Sequence, residues 1–172
     1  QQMRFEPVGE GVDVDHRRLD PDLGQPVQHV VDQRPAADLD QRLGPIVGQV
    51  AEVSVQSGRI RVHKVTCVID CGQVINPETI AQQMEGSVVF ALSAALYGGV
   101  SIQRGVVQGG NFTEHPMLTL AQTPQVSTHI VPSNRPPGGV GEPGVPPLAP
   151  AVANALAVLT SKRQRRLPFD LG

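Results

Sequence analysis

A single carboxylate, Glu142, stands in the stretch of this sequence that is best suited to meet a ligand. The stretch runs from Pro136 to Ala153 and is rich in glycine and proline. Glycine lets the backbone take positive φ or approach a ligand closely, whereas proline fixes φ and removes flexibility. Because the loop combines both residue types, it is predicted to hold one shape and to present Glu142 from a preset position.

A helix is predicted directly after this loop. Pro146 and Pro147 suit a first helical turn, where backbone amides have no partner. The apolar residues that follow recur at intervals of four, four and three, namely Leu148, Val152, Leu156 and Leu159. Glu142 is therefore predicted to lie just before a helix N-terminus. Since most loops of this composition are surface connections, the pattern by itself leaves a purely structural role open.

Gly139, Gly141 and Gly144 match the spacing of the dinucleotide-binding fingerprint, but their context does not fit it. That fingerprint requires a strand that ends at the first glycine, a helix that opens at once and an acidic residue about twenty positions later. Here the nearest predicted strand ends near Val131, and Pro143 lies inside the motif. A phosphate-binding P-loop is excluded as well, because no Gly-Lys-Ser or Gly-Lys-Thr follows.

The chain has 172 residues, a length that indicates one domain or one domain with an appendage, and its net charge is −2. The charge gives no electrostatic basis for binding nucleic acid. The sequence is 40% hydrophobic but only 3% aromatic, so the predicted core is aliphatic. No apolar run is long enough for a membrane span, and the first residues show no signal peptide. The first methionine is Met3, which we interpret as the mark of a fragment.

No metal site built from protein ligands is predicted. Cys67 and Cys71 lie four positions apart at a predicted strand end, which fits two buried thiols better than a metal clip. His115 and His129 lack a second ligand at the spacing that zinc sites use.

Residues 1–48 differ from residues 49–172 in charge density and in the pattern of their apolar residues. They hold 5 Lys and Arg with 9 Asp and Glu, against 9 and 7 in the much longer remainder. Their apolar residues keep neither a helical nor a strand period for long, so the segment is predicted to be irregular, disordered or loosely attached. A sharper hypothesis is that it is translated from the wrong reading frame of a GC-rich gene, with the boundary near Gly48.

An orderly pattern begins at Gln49. Alternating apolar residues predict a hairpin that turns at Ser57-Gly58 and ends near Asp70. The apolar parity changes along its second strand, which predicts a bulge or twist near His63 and Lys64, or burial on both faces. A helix is then predicted from Pro77 to about Tyr97, with Asn76 as its N-cap and an apolar stripe that recurs every four residues.

Shorter elements complete the predicted chain. A small hairpin flanks Arg104-Gly105, residues 111–123 are irregular, and residues 125–131 form a strand that leads into the loop of Glu142. On the long helix, Gln82, Gln83 and Glu85 lie off the apolar stripe. They form either a solvated polar face or a place where an amide contacts a ligand, and composition alone favours the solvated face.

Several segments in a fixed order carry a family resemblance: Cys71 to Pro77, Gln83 to Gly86, Pro137 to Pro143 and Pro147 to Ala155. They resemble the C-terminal end of the large molybdenum-cofactor subunit of the xanthine dehydrogenase/aldehyde oxidase family, in particular the isoquinoline 1-oxidoreductase β-subunit type. The resemblance covers residues 47–168 and does not extend to residues 1–46. It implies an α+β fold of strand hairpins, a long amphipathic helix and a C-terminal helix, as part of a larger molybdopterin-binding domain.

The resemblance also implies the chemistry and its residues. Family members hydroxylate a C–H carbon of an aldehyde or N-heterocycle with oxygen from water, and electrons pass to iron–sulfur clusters on another chain. The glutamate of the Gly-x-Gly-Glu motif is the family's general base and matches Glu142, while the glutamine of the Gln-x-Glu-Gly motif contacts the pterin and matches Gln83. Gly139 and Gly141 are expected beside the cofactor, a molybdenum–molybdopterin cytosine dinucleotide.

The chain also departs from the family, whose large subunits are several times longer and enclose most of the cofactor with upstream segments. We therefore expect the chain to be inactive by itself and to need the rest of the large subunit, an iron–sulfur subunit and a small-molecule substrate. The alternative is a non-catalytic remnant or a module that only docks to partner subunits. The substrate stays open, and so does the compartment, bacterial cytoplasm or periplasm.

Overall fold

The computed structural model describes residues 18–19 and 26–31 as strand backbone, and residues 44–171 in full. The strands are β1 (Arg18–Leu19), β2 (Pro26–Val31), β3 (Ile46–Gln56), β4 (Arg59–Asp70), β5 (Ser101–Gln103), β6 (Val106–Gln108) and β7 (Gln125–Ile130). The helices are α1 (Pro77–Tyr97) and α2 (Leu148–Thr160), and two short 3-10 turns cover Phe112–Glu114 and Leu120–Gln122. This mixture of helices and open sheets confirms the predicted α+β class.

The main sheet has the strand order β1-β2-β3-β4-β7 within the described residues. Neighbouring strands are antiparallel except β4 and β7, which run parallel and pair Cys67 with Thr128. A parallel pair needs a long crossover, and here the crossover contains α1 and the β5–β6 hairpin. Helix α1 packs against β7, while α2 packs against β2 and β3. The loop of Glu142 joins β7 to α2.

The β3–β4 hairpin confirms the predicted hairpin and its bulge. Glu52 pairs with Lys64 and Val53 pairs with Val62, so His63 is the extra residue on β4. The tight turn uses positive φ at Ser57 and Gly58, of 48° and 74°. The bulge restores the inward direction of the apolar residues on both sides of His63, because strand side chains alternate between faces.

Helix α1 begins and ends where its sequence predicts. The Asn76 side-chain oxygen accepts hydrogen bonds from the amides of Glu78 and Thr79 at 3.0 and 3.2 Å, and the helix ends before Gly98. Its buried stripe consists of Ile80, Met84, Ser87, Val88, Ala91, Leu92 and Ala95. Helix α2 begins at Leu148, so Pro146 and Pro147 lie in the turn just before it and not in its first turn as predicted.

The core is aliphatic, as predicted. It joins the inner face of β3 and β4 to the buried stripes of both helices, and it includes both cysteines, which are free thiols. The largest fully buried side chains include Ile69, Met84, Leu92, Leu148 and Leu156. The prediction of two buried thiols is confirmed.

The interpretation of residues 1–48 falls mostly outside the described residues and stays a prediction. Within that segment, β2 pairs antiparallel with β3, for example Val30 with Ala51, and β3 itself begins at Ile46. In the part of the chain that the structure describes, neither helix has the length and apolar character needed to cross a bilayer.

Candidate functional site

The loop of Glu142 is fixed where it leaves β7. Arg135 forms a salt bridge with Asp70 at 2.7 Å between Nη2 and Oδ2. The Gln73 amide donates to the Arg135 carbonyl at 2.9 Å, and the Gly138 amide donates to the Cys71 carbonyl at 2.7 Å. These contacts join the start of the loop to the turn that follows β4.

The carboxylate of Asp70 is electrostatically suited to this junction. Its partial burial by itself raises the pKa, but hydrogen bonds from Arg135, Gly72 and Ser133, together with the charge of Arg135, outweigh that effect. The pKa of Asp70 therefore lies below its usual value. A carboxyl group whose pKa is lower in the folded state stabilises the fold at pH values above its unfolded-state pKa. This stabilisation is lost as the pH falls through the folded-state pKa.

Gly72 is the tightest point of the same junction. It has a φ of +77°, and a Cβ at this position would contact the Pro136 carbonyl oxygen directly and lie 2.9 Å from the Arg135 carbonyl oxygen. Because these neighbours are backbone atoms, they cannot move without displacing the loop. Only glycine fits here.

We expect Gly72→Ala to lower the free energy of unfolding more than Gly58→Ala does. Both glycines have similar positive φ, and the left-handed conformation costs about 1–2 kcal/mol in either variant. A Cβ on Gly58 meets nothing within 4 Å, so only Gly72→Ala adds the collision with the loop, which costs about 1–3 kcal/mol more. Urea unfolding of both variants measures the difference, and equal losses would show that the junction is loose.

The other end of the loop is docked on α1. Gly144 is buried, and a Cβ placed on it would lie 2.8 Å from Ser87 Cβ and 3.1 Å from Met84 Sδ. The Gly144 carbonyl oxygen accepts a hydrogen bond of 2.8 Å from Nε2 of Gln49, whose side chain is buried on β3. The loop thus touches α1 at the residue next to Gln83.

Glu142 lies in the tight turn between these anchors. The amide of Val145 donates to the Glu142 carbonyl at 3.0 Å, and Pro143 stiffens the intervening backbone. Glu142 is two residues before Gly144, which packs against Met84 on α1. Gln83 is the residue next to Met84. The structure therefore brings the segments of these two predicted site residues together, although they are far apart in sequence.

The predicted site residues are accessible to a ligand. Glu142, Gln83, Gly139 and Gly141 are all exposed. A Cβ on either glycine would meet nothing within 4 Å. Across residues 44–171, the backbone amides of residues 139–142 donate no hydrogen bond to the protein. The surface therefore offers free amide donors beside a carboxylate.

Sequence reasoning misses two residues that build this site. The strand pattern marks Gln49 only as the start of a strand, and Gly144 belongs only to a fingerprint that the context excludes. A signal for Gln49 is present, because it shares its strand face with Ala51 and Val53 and is a polar residue at an inward position. No comparable signal marks the contact of Gly144 with α1.

The donor set fits an organic cofactor with anionic oxygens. Free backbone amides are suited to bind phosphate and carbonyl oxygens, and the exposed carboxamide of Gln83 can both donate and accept hydrogen bonds, as a pterin requires. Within the described residues, no three His, Cys, Asp or Glu side chains are grouped as metal ligands. The residues that are present thus fit the organic part of a cofactor.

Known proteins with similar sequences bind a molybdopterin cofactor or molybdenum. The family described as a molybdopterin cofactor-binding domain matches residues 44–124. The chain is 38% identical over 110 residues to the beta subunit of isoquinoline 1-oxidoreductase from Brevundimonas diminuta, and the match covers 64% of the chain and 14% of the relative. It is 34% identical over 123 residues to a nicotinate dehydrogenase subunit from Pseudomonas putida, and that match covers 70% of the chain and 10% of the relative.

Solved structures show the same relationship. A Cu,Mo-CO dehydrogenase superposes with a TM-score of 0.60 at 25% identity, covering 66% of this chain and 15% of that one. The aldehyde oxidoreductase of Desulfovibrio desulfuricans superposes with a TM-score of 0.61 at 23% identity, covering 72% of this chain and 14% of that one, and shows the fold alone.

These matches place residues 44–124 in the class of molybdopterin cofactor-binding domains. The chain is similar to molybdenum-binding subunits of xanthine dehydrogenases and aldehyde oxidoreductases, as its motifs predict. Its relatives include the isoquinoline 1-oxidoreductase type, of whose length the chain spans 14%.

Proposed function

We propose that this chain forms the part of a molybdenum hydroxylase that holds the general base, Glu142, and a pterin contact, Gln83. The observation that supports this proposal is the docking of Gly144 on α1, which joins the segments of the two residues. The proposed reaction hydroxylates a C–H carbon of an aldehyde or N-heterocycle with oxygen from water. It releases two electrons and two protons for each C–H bond converted.

The proposed cofactor is a molybdenum–molybdopterin cytosine dinucleotide, which when bound supplies the two-electron oxidation. The chain supplies a proton acceptor and a binding surface. Glu142 takes up a proton at a carboxylate oxygen, and the stiff turn around it holds the backbone from which this side chain extends. The exposed amide of Gln83 and the free backbone amides near Gly139 and Gly141 hold the organic part of the cofactor.

The proposed partners are the remaining large-subunit polypeptide and an iron–sulfur subunit that accepts the electrons. Large exposed apolar side chains support the docking of further polypeptide, since a monomer seldom leaves so many uncovered. They include Ile75 (80% exposed), Phe90 (70%), Phe112 (94%) and Leu120 (92%). The same surfaces serve the alternative function, a docking module without catalysis.

Cofactor retention tests the proposal and separates it from the alternative. The chain is co-produced with the remaining large-subunit polypeptide and an iron–sulfur subunit, and molybdenum and pterin are measured in the purified complex. We expect Gln83→Ala to weaken retention about tenfold, the effect of one hydrogen bond, and Gln82→Ala to leave it unchanged. Both glutamines are exposed neighbours on α1, so they form a matched pair. A complex that assembles without molybdenum or pterin supports the docking module.

A further inference from the structure

We infer that Gln49 is a positioning residue for Glu142, an inference that rests on the proposed function. Gln49 lies on β3, 95 positions before the glycine that its side chain binds. Its side chain is 1% exposed, in a core that is otherwise almost entirely apolar. A buried carboxamide is costly unless it is hydrogen-bonded, so the partner of its amide nitrogen matters.

The hydrogen bond fixes the orientation of the Gln49 amide. Nε2 donates to the Gly144 carbonyl oxygen at 2.8 Å, and only the NH₂ end of a carboxamide can donate to a carbonyl. Oε1 is buried and has no hydrogen-bond partner among the described residues. The side chain therefore leaves one of its own polar atoms unpaired while it holds the loop, which is unfavourable for stability alone.

Within the residues that the structure describes, Gln49 has one other polar side-chain partner, the thiol of Cys67. Gln49 pairs with Cys67 on β4, and Cys67 pairs with Thr128 on β7, so the three residues form one row across the sheet. Burial raises the pKa of Cys67 to about 11, and the neighbouring Gln49 side chain offsets this only in part. Cys67 is thus a neutral thiol at physiological pH, and the hydroxyl of Thr128 is also unpaired within the described part of the chain.

The hydrogen bond reaches Glu142 through a short, stiff connection. Gly144 is two residues from Glu142, Pro143 lies between them, and the Val145 amide closes the turn onto the Glu142 carbonyl. Gly144 is also pressed against Ser87. Gln49 and α1 thus both hold the backbone of the turn that carries Glu142.

Hydrogen exchange of the full chain tests this inference without any cofactor. The Val145 amide reports on the turn of Glu142, and the Gly138 amide, bonded to the Cys71 carbonyl, reports on the other anchor of the same loop. We expect Gln49→Met, which keeps the volume and removes the donor, to lower the protection factor of Val145 about ten- to a hundredfold. The protection of Gly138 should stay unchanged.

Two further variants separate positioning from packing. Thr128→Val removes another buried and unpaired polar atom from the same row and should leave Val145 unaffected. Gln49→Glu restores a donor only while its buried carboxyl is protonated, so its Val145 protection should approach the wild-type value at low pH and be lost as the pH rises. A pure packing role would show no such dependence.

The inference is overturned if Gln49→Met leaves Val145 protected, or lowers Val145 and Gly138 equally, or if Gln49→Glu shows no dependence on pH. In the assembled enzyme, we expect Gln49→Met to lower kcat about tenfold with KM unchanged. If Glu142→Gln leaves turnover intact, the proposed function fails, whereas the exchange result still decides whether Gln49 holds the loop.

Discussion

Replacement of Glu142 by glutamine is expected to lower turnover of the assembled enzyme about 10²- to 10⁴-fold, the usual contribution of a general base. The carboxamide has nearly the same size as the carboxylate but cannot take up a proton. Glu142 is exposed and, within residues 44–171, its side chain makes no hydrogen bond or ion pair, so the fold and the molybdenum content should not change. Steady-state kinetics and metal analysis of the same preparation measure both quantities.

Glu78→Gln is the matched control for this prediction. Glu78 is also an exposed carboxylate, but it lies in the first turn of α1. Its replacement removes only a favourable interaction with the helix dipole, worth about 0.3–1 kcal/mol of stability, and should leave turnover unchanged. Full turnover in Glu142→Gln at normal molybdenum content would show that Glu142 is not the general base.

The local elements of this fold could be predicted because their signals lie within a few residues of one another. The cap at Asn76, the stripe of α1 and the turn at Ser57-Gly58 each depend on short spacings. Even the bulge at His63 follows from a change of parity within one strand. Burial against the opposite layer then reinforces what the local pattern favours.

The arrangement of the site could not be predicted in the same way, because it depends on contacts between distant segments. Strands β4 and β7 pair in parallel although the whole α1 crossover lies between them in the chain. The hydrogen bond from Gln49 to Gly144 spans 95 positions. The pairing of β2 with β3 involves a segment without strand periodicity. A single sequence carries no signal for which of several compatible surfaces will meet.

The motifs identify the type of each site residue but not what holds it. Glu142 and Gln83 are identified by resemblance, and their roles stay predictions. What the structure adds is a cause for the contact between their segments, since Gly144 can approach Ser87 only without a side chain. This close contact yields a second prediction of large effect.

We expect Gly144→Ala to lower turnover about 10- to 100-fold, because a misplacement of about 1 Å at a reacting group has an effect of that order. The added Cβ would lie 2.8 Å from Ser87 Cβ, which is fixed to the helix backbone, and 3.1 Å from the more flexible Met84 Sδ. The loop must therefore move away from α1. Stability should fall by only about 1–3 kcal/mol, the usual range for overpacking.

The double variant Gly144→Ala with Ser87→Gly distinguishes displacement of the loop from a general loss of stability. Removing the Ser87 side chain makes room for the new methyl group, so most of the turnover should return. A glycine inside α1 costs about 1 kcal/mol, so thermal stability should not return with it. Ser87→Gly alone supplies the baseline for both measurements. If turnover follows thermal stability across the three variants, the position of the loop does not control the reaction.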